Sequence, residues 1–262
     1  MTSRAVGRAY PPRPPGRSYA ATMAQHPHPL TPHRAPASPP ARDGGGPALP
    51  EVFAAAVGGI DALRSRPGLE FEPLPAPRRL AAHSHAVSVS ATERHEDDEV
   101  ELGSGRFVLL YEPAGHEEWH GSWRCVTLLQ AELEPEIAED PLLADVTWSW
   151  LREALSGLNY AALGGTVSRC ASSGFGELAD QGTSTSVELR ASWSPLPPLD
   201  ADAPGGPAAQ RAAAAAGLAR WTAREARAGL AAHVEAWSEC LATAVGLPPE
   251  LAGVARLPRI GG

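Results

Sequence analysis

The 262-residue chain contains no lysine; all 22 of its basic side chains are arginine. That absence closes several chemistries. A phosphate-binding P-loop needs an ammonium on the terminal phosphates, and a kinase-type site needs one on its third strand. Schiff-base formation needs a primary amine that can give up its proton, which a guanidinium does not do. Richness in Ala, Gly, Pro and Arg without Lys is also what codon bias in a GC-rich genome produces, so the missing lysine excludes functions without indicating one. Cysteine is scarce as well. Cys125, Cys170 and Cys240 are far apart and form no CxxC, which suits neither a disulfide framework nor a zinc knuckle and points to a reducing, cytoplasmic compartment. Long apolar runs are missing too. Nothing approaches the roughly 20 residues that span a bilayer, and the N-terminal stretch carries Arg and Pro where a signal peptide would be apolar. Neither membrane insertion nor secretion is expected.

What is present is mostly acid. The net charge is −8, but residues 1–50 carry six Arg and one acid, whereas Glu93 to Asp145 hold fifteen acids against three Arg. An acidic domain repels phosphate backbones, so nucleic acid is not an expected partner. The first 50 residues also hold twelve prolines and only two aromatics, Tyr10 and Tyr19. Such a segment cannot bury enough apolar area to offset an ordering entropy of about 1–2 kcal/mol per residue, and residues 1–48 are expected to be disordered. Met23 is an alternative start to Met1.

A single α+β domain is expected over residues 49–258. Val52, Phe53, Ala56, Val57, Ile60 and Leu63 recur at helical spacing until Pro67 and Gly68. After a Pro-rich connection, His83, His85, Val87 and Val89 alternate as a strand. The acidic run Glu96 to Glu101 with Gly103 predicts a turn, Phe107 to Tyr111 a short strand, and Trp119 to Leu133 a long one. Asp140-Pro141 is a helix start, since the Asp side chain accepts from free amides and Pro lacks one to leave unpaired; that helix should reach about Gly157. Strands follow at Thr166–Ala171 and Ser184–Trp193. A linker at Pro195–Pro207 and an Ala-rich stretch to Ala228 read as an insertion at about 195–228. A last helix carries Leu230, Val234, Trp237, Leu241 and Val245 on one face and stops at Gly246-Leu247-Pro248. The expected fold is therefore an antiparallel sheet of about five strands with helices packed on it, in the order α-β-β-β-α-β-β-α. Secretion-chaperone-like folds, which dimerise and bind partner peptides, have the same order, a likeness of fold that carries little functional weight.

Two motifs invite chemistry. His116-Glu117-Glu118-Trp119-His120 satisfies HExxH, which in a metalloprotease places two His one helical turn apart on a zinc ion. Here Pro113, Gly115 and Gly121 flank it, so a polar turn is expected and no metal. Gly174-Phe175-Gly176-Glu177-Leu178-Ala179 matches a dinucleotide fingerprint but leads into another strand, not a helix, so a glycine loop is expected. His83 and His85 share a strand face by period two, and Cys125 lies on an apolar face where a thiol is inert. No cofactor is implied.

The seven tryptophans are the stronger signal. Trp148 and Trp150, two apart on a helix, lie some 200° apart around its axis, so both are not expected to face one core. A tryptophan beside acids is an anchor for a partner carrying Arg or an apolar helix.

The stretch Val126-Thr-Leu-Leu-Gln-Ala-Glu-Leu-Glu-Pro-Glu-Ile-Ala-Glu-Asp-Pro-Leu-Leu143 and the segments Thr147–Leu151, Phe107–His116, Gly165–Arg169 and Val187–Trp193 resemble an actinobacterial family known as domain of unknown function 3000. The resemblance implies a cytosolic bacterial protein and carries over no activity, cofactor or catalytic residue. The primary expectation is a non-enzymatic binding or adaptor module, with Trp148, Trp150, Glu134 and Glu136 taking a basic or amphipathic protein segment; a homo-oligomer is compatible with it. The alternative is an enzyme or small-ligand binder using Arg124, Arg190 and His116, because arginines on a sheet can clamp a carboxylate. An HExxH zinc hydrolase through His116, Glu117 and His120 is its remotest version.

Overall fold

The computed structural model describes residues 49–95, 98–181, 183–198 and 220–248, together with 206, 209 and 213. The expected disordered head, the alternative start at Met23, most of the linker and Ala-rich stretch, and residues 249–258 lie outside the described residues.

Helix α1 (Glu51–Ile60) buries Phe53, Ala56 and Ile60, the stripe expected from their spacing. Four strands then meander antiparallel: β1 (Leu69–Leu74), β2 (His83–His95), β3 (Asp98–His116) and β4 (Gly121–Leu133). A short helix α2 (Pro135–Ala138) and helix α3 (Leu143–Ala154) lead to β5 (Tyr160–Ser173), which turns back into β6 (Thr183–Pro195). Strand β6 pairs with β4 and leaves β5 outermost, giving the order β1-β2-β3-β4-β6-β5. The long helix α4 (Ala223–Ala244) follows. Among the described residues the fold is α+β with six antiparallel strands.

The helices cover one sheet face. Inward residues of every strand, among them Leu69, Val89, Phe107, Trp123, Leu129, Leu189 and Trp193, meet Phe53 and Ile60 of α1, Leu151 of α3, and Leu230, Val234, Trp237 and Leu241 of α4 in one core. Glycine sets how closely the layers approach. A Cβ on Gly59 would lie 2.0 Å from the Arg227 carbonyl oxygen of α4, and one on Gly105 would lie 2.5 Å from the Trp237 ring. Neither position admits a side chain without moving backbone or a buried ring. At one end of the opposite face Ala86, Val108 and Leu110 form a small second cluster under Leu74, Ala81 and Trp119.

The sixth strand, β1, corrects the expected order. Its sequence, Leu-Glu-Phe-Glu-Pro-Leu, carries a proline and falls where a Pro-rich connection was expected. Proline is tolerated there because β1 is an edge strand, with one row of amides free of the ladder. Strand β3 is also longer than Phe107–Tyr111: Gly103 and Gly105 lie within it, where Val245 at the end of α4 and the Trp237 ring press directly on the backbone. Helix α3 starts at Leu143 rather than beside Asp140, whose Oδ1 instead accepts from the Leu142 amide at 2.8 Å. Residues 223–228 of the Ala-rich stretch form the first turns of α4. They follow a capping box in which Thr222 Oγ1 accepts from the Glu225 amide at 3.2 Å and Glu225 Oε2 from the Thr222 amide at 2.8 Å.

Candidate functional site

Helix α3 carries more apolar surface than the core takes. Leu143, Thr147 and Leu151 form its buried stripe. A second row, Leu142, Val146 and Trp150, follows the same four-residue spacing one position earlier and runs out of the core into solvent. Trp150 is half-buried, Val146 is 39% exposed and Leu142 58%. Ile137 on α2 is 47% exposed. Large apolar side chains gathered in one short segment are a more informative observation than scattered ones. Acids outnumber bases here: Glu134, Glu136, Glu139, Asp140, Asp145 and Glu153 are all exposed, against Arg152 in the same segment and Arg169, which reaches Ala138 O from β5. The arrangement is an apolar strip in a negative field, suited to a segment with apolar and cationic sides.

Trp148 and Trp150 straddle the buried stripe of α3. Both are half-buried and both pack on the margin of the main core, so the expectation that they would not share a core is corrected. Trp148 lies over β5, its ring 2.9 Å from where a Gly165 Cβ would stand. A strip of core between two flanking rings accommodates an angle that the helical wheel alone treats as exclusive.

The alternative set is not brought together. His116 ends β3 opposite Gly121, stacked on Trp119 with ring centroids 4.8 Å apart. Arg190 pairs across from Leu128, seven residues further along β4 and so about 23 Å away at 3.3 Å per residue. Arg124 spends its donors locally, on Ala162 O at 3.0 Å, Ser194 Oγ at 3.2 Å and Ser192 Oγ at 2.6 Å. Arg190 Nε holds Glu188 at 2.8 Å, and Glu188 also accepts from Gln130 at 3.1 Å. Arg190 does line a shallow open groove of about 520 Å³ on the solvent face of the sheet, with Val126, Leu128, Gly164, Thr166 and Ser192. His116 and Arg124 are not in its lining.

The HExxH segment is a strand end, a 3₁₀ turn at Glu117–Trp119 and a left-handed His120 at φ 55°. It is a turn, as its glycines and proline suggest, and its imidazoles do not sit one helical turn apart. Among the described residues no three His, Cys, Asp or Glu side chains gather as a metal site would require. Gly174 to Ala179 runs into a 3₁₀ turn, Gly176–Gln181, that joins β5 to β6, and no helix of the dinucleotide type follows it. His83 lies against Phe53 and Tyr111, while His85 Nε2 is 3.1 Å from Asp61 Oδ1 but off the line of a hydrogen bond.

Cys125, Cys240 and His233 are silenced by burial, whereas Cys170 is exposed. Desolvation pushes the Cys125 thiol far above its ordinary range, against a smaller opposing effect of Arg124, and raises Cys240 to about 12. His233, almost wholly covered, accepts from Trp193 Nε1 through Nδ1 at 3.2 Å, and burial lowers its pKa to about 4.

The sequence reasoning selected Trp150, Glu134 and Glu136 but passed over Ile137, Leu142 and Val146. The signal was available. Apolar residues at 142, 146 and 150 repeat the period of 143, 147 and 151, and a helix with two adjacent apolar stripes has one more than a single core contact requires.

A family model described as protein of unknown function (DUF3000) matches residues 49–255. The chain belongs to the DUF3000 family. No curated protein and no solved structure matches it. The matched residues of this DUF3000 member begin with α1 and include α3 with its surrounding acids. Among the described residues no helix is long and apolar enough to cross a membrane.

Proposed function

We propose that this DUF3000 protein is a non-enzymatic binding module whose α2–α3 surface takes a basic amphipathic segment of a protein partner. The observation that carries this is the row of exposed Leu142 and Val146 with half-buried Trp150, set among carboxylates. The partner's apolar side chains cover that row, and its cations meet Glu134, Glu136 and Glu153. Trp150, packed on the core at its base, is a rigid anchor with little entropy to lose. Nucleic acid fits poorly with an acidic surface, and three free cysteines support a reducing compartment, for which we assign the actinobacterial cytoplasm.

The test is selection from a library of helical peptides. Enriched peptides should carry apolar residues at helical spacing flanked by Arg or Lys. Their affinity should fall at least tenfold on Val146→Asp, on Trp150→Ala and on charge reversal of Glu134 with Glu136. Enrichment of no such peptide, or binding indifferent to all three changes, removes the basis of the reading. A second reading, a small-anion binder, is favoured only by Arg190 at the sheet-face groove; it predicts ligand binding lost on Arg190→Gln and untouched by Val146→Asp.

A further inference from the structure

The two edges of the sheet are built differently. Strand β1 is six residues long and carries Glu70, Glu72 and Pro73, the devices that blunt an edge against further pairing. Strand β5 spans fourteen residues, Tyr160–Ser173, with no proline and a single charge, Arg169. Its inner side pairs continuously with β6 from Gly164 to Ser173. No described strand pairs with its outer side. Except for Val167, which is half-buried, residues 164–173 are exposed.

We infer that β5 pairs antiparallel with β5 of a second copy of this chain, about a two-fold axis at Val167, joining the two sheets into one. The register follows from what each residue would face. Around that axis Val167 meets Val167, Thr166 meets Ser168, and Gly165 meets Arg169 of the second copy. The one charge on the edge therefore avoids its own image, which directly opposed strands penalise. It also meets a complement. Gly165 and Arg169 lie on the helix-covered side of β5, and Trp148 lies over Gly165. Directly opposed Cβ positions are about 5 Å apart, so the pairing carries each Arg169 to the Trp148 ring of the other copy. Arg169 Nη1 donates to the Ala138 carbonyl oxygen at 2.7 Å, and a guanidinium with five N–H groups keeps a face for the ring. The interface is isologous and closes as a dimer, because pairing consumes both open edges.

Analytical ultracentrifugation of the full chain tests this, with a dimer expected at twice the 27.4 kDa chain mass. Thr166→Lys with Ser168→Lys sets ammonium groups opposite one another and should give a monomer, whereas Thr166→Lys with Ser168→Glu pairs opposite charges and should keep the dimer. Arg169→Met should raise the dimer dissociation constant about tenfold. Val167→Cys in a Cys170→Ser background should form an interchain disulfide on mild oxidation, which keeps the register testable if the doubly charged variant fails to fold. A wild-type chain monomeric at every concentration, a dimer indifferent to the paired lysine changes, or no crosslink at position 167 overturns the inference.

Discussion

Trp237 and Trp150 divide the molecule into a part that is complete and a part that is not. Trp237 is fully covered, pressed on Gly105 and set 5.5 Å from Phe107. Trp150 is half-buried, packed on the same core at the end of the row that continues through exposed Val146 and Leu142. Equal aromatic content thus has two uses. Beneath α4 it fills volume against backbone made bare by glycine. On α3 it continues the core outward past the point where the chain itself supplies a cover. The difference should appear as a separation between substitutions that damage the fold and those that damage recognition.

The widest separation is expected from Trp237→Ala. Truncating a covered aromatic leaves a cavity that the long strands and α4 cannot close, at a cost of about 3–5 kcal/mol. Urea unfolding should show that loss, while Trp150→Ala should cost less, because that ring is only partly covered by the core. Equal losses for the two would abolish the division.

The buried side also has an acid response. His233 lies on the buried face of α4 with Nδ1 accepting from Trp193, and its pKa is lowered by burial to about 4 against an ordinary value near 6.5. Above pH 6.5 both folded and unfolded chains carry it neutral, and its full contribution is present. Between 6.5 and 4 only the unfolded chain takes up a proton, so stability falls as pH falls through that window, by about 3 kcal/mol in all. Below 4 the loss is constant. Unfolding free energies measured from pH 7 to 4 should therefore slope for the wild type and flatten for His233→Gln, whose amide oxygen can accept the same indole hydrogen. An identical slope in the variant would place the acid sensitivity elsewhere.

Much of the fold is legible in the sequence because periodicity records burial. Val187, Leu189, Ala191 and Trp193 alternate in β6, and Leu230, Val234, Trp237 and Leu241 follow the helical period in α4. What escapes has physical causes. Strand β1 is hidden by Pro73, which an edge accepts and a central strand would not. Gly103 suggests a turn until the close approach of Val245 and of the neighbouring strand to it is known, as the Trp237 ring explains Gly105 beside it. The separation of His116, Arg124 and Arg190 depends on register across strands, which no local pattern encodes. On α3, burial divides one helix between two apolar rows, and only the structure tells which row the core takes.

The smallest effect on the fold should come from the residue that matters most for recognition. Val146 is 39% exposed on the outer row of α3, with Glu153 and Asp145 nearby on the same helix, so Val146→Asp removes little buried area and adds one charge to an already acidic surface. Its unfolding free energy should stay within about 0.5 kcal/mol of wild type. Affinity for a basic amphipathic peptide should nevertheless fall at least tenfold, because a carboxylate would then occupy the apolar centre of the contact, where no cation of the partner is placed to meet it. A stability loss as large as the binding loss would mean that the outer row is core after all, and that Val146 and Trp150 belong with Trp237.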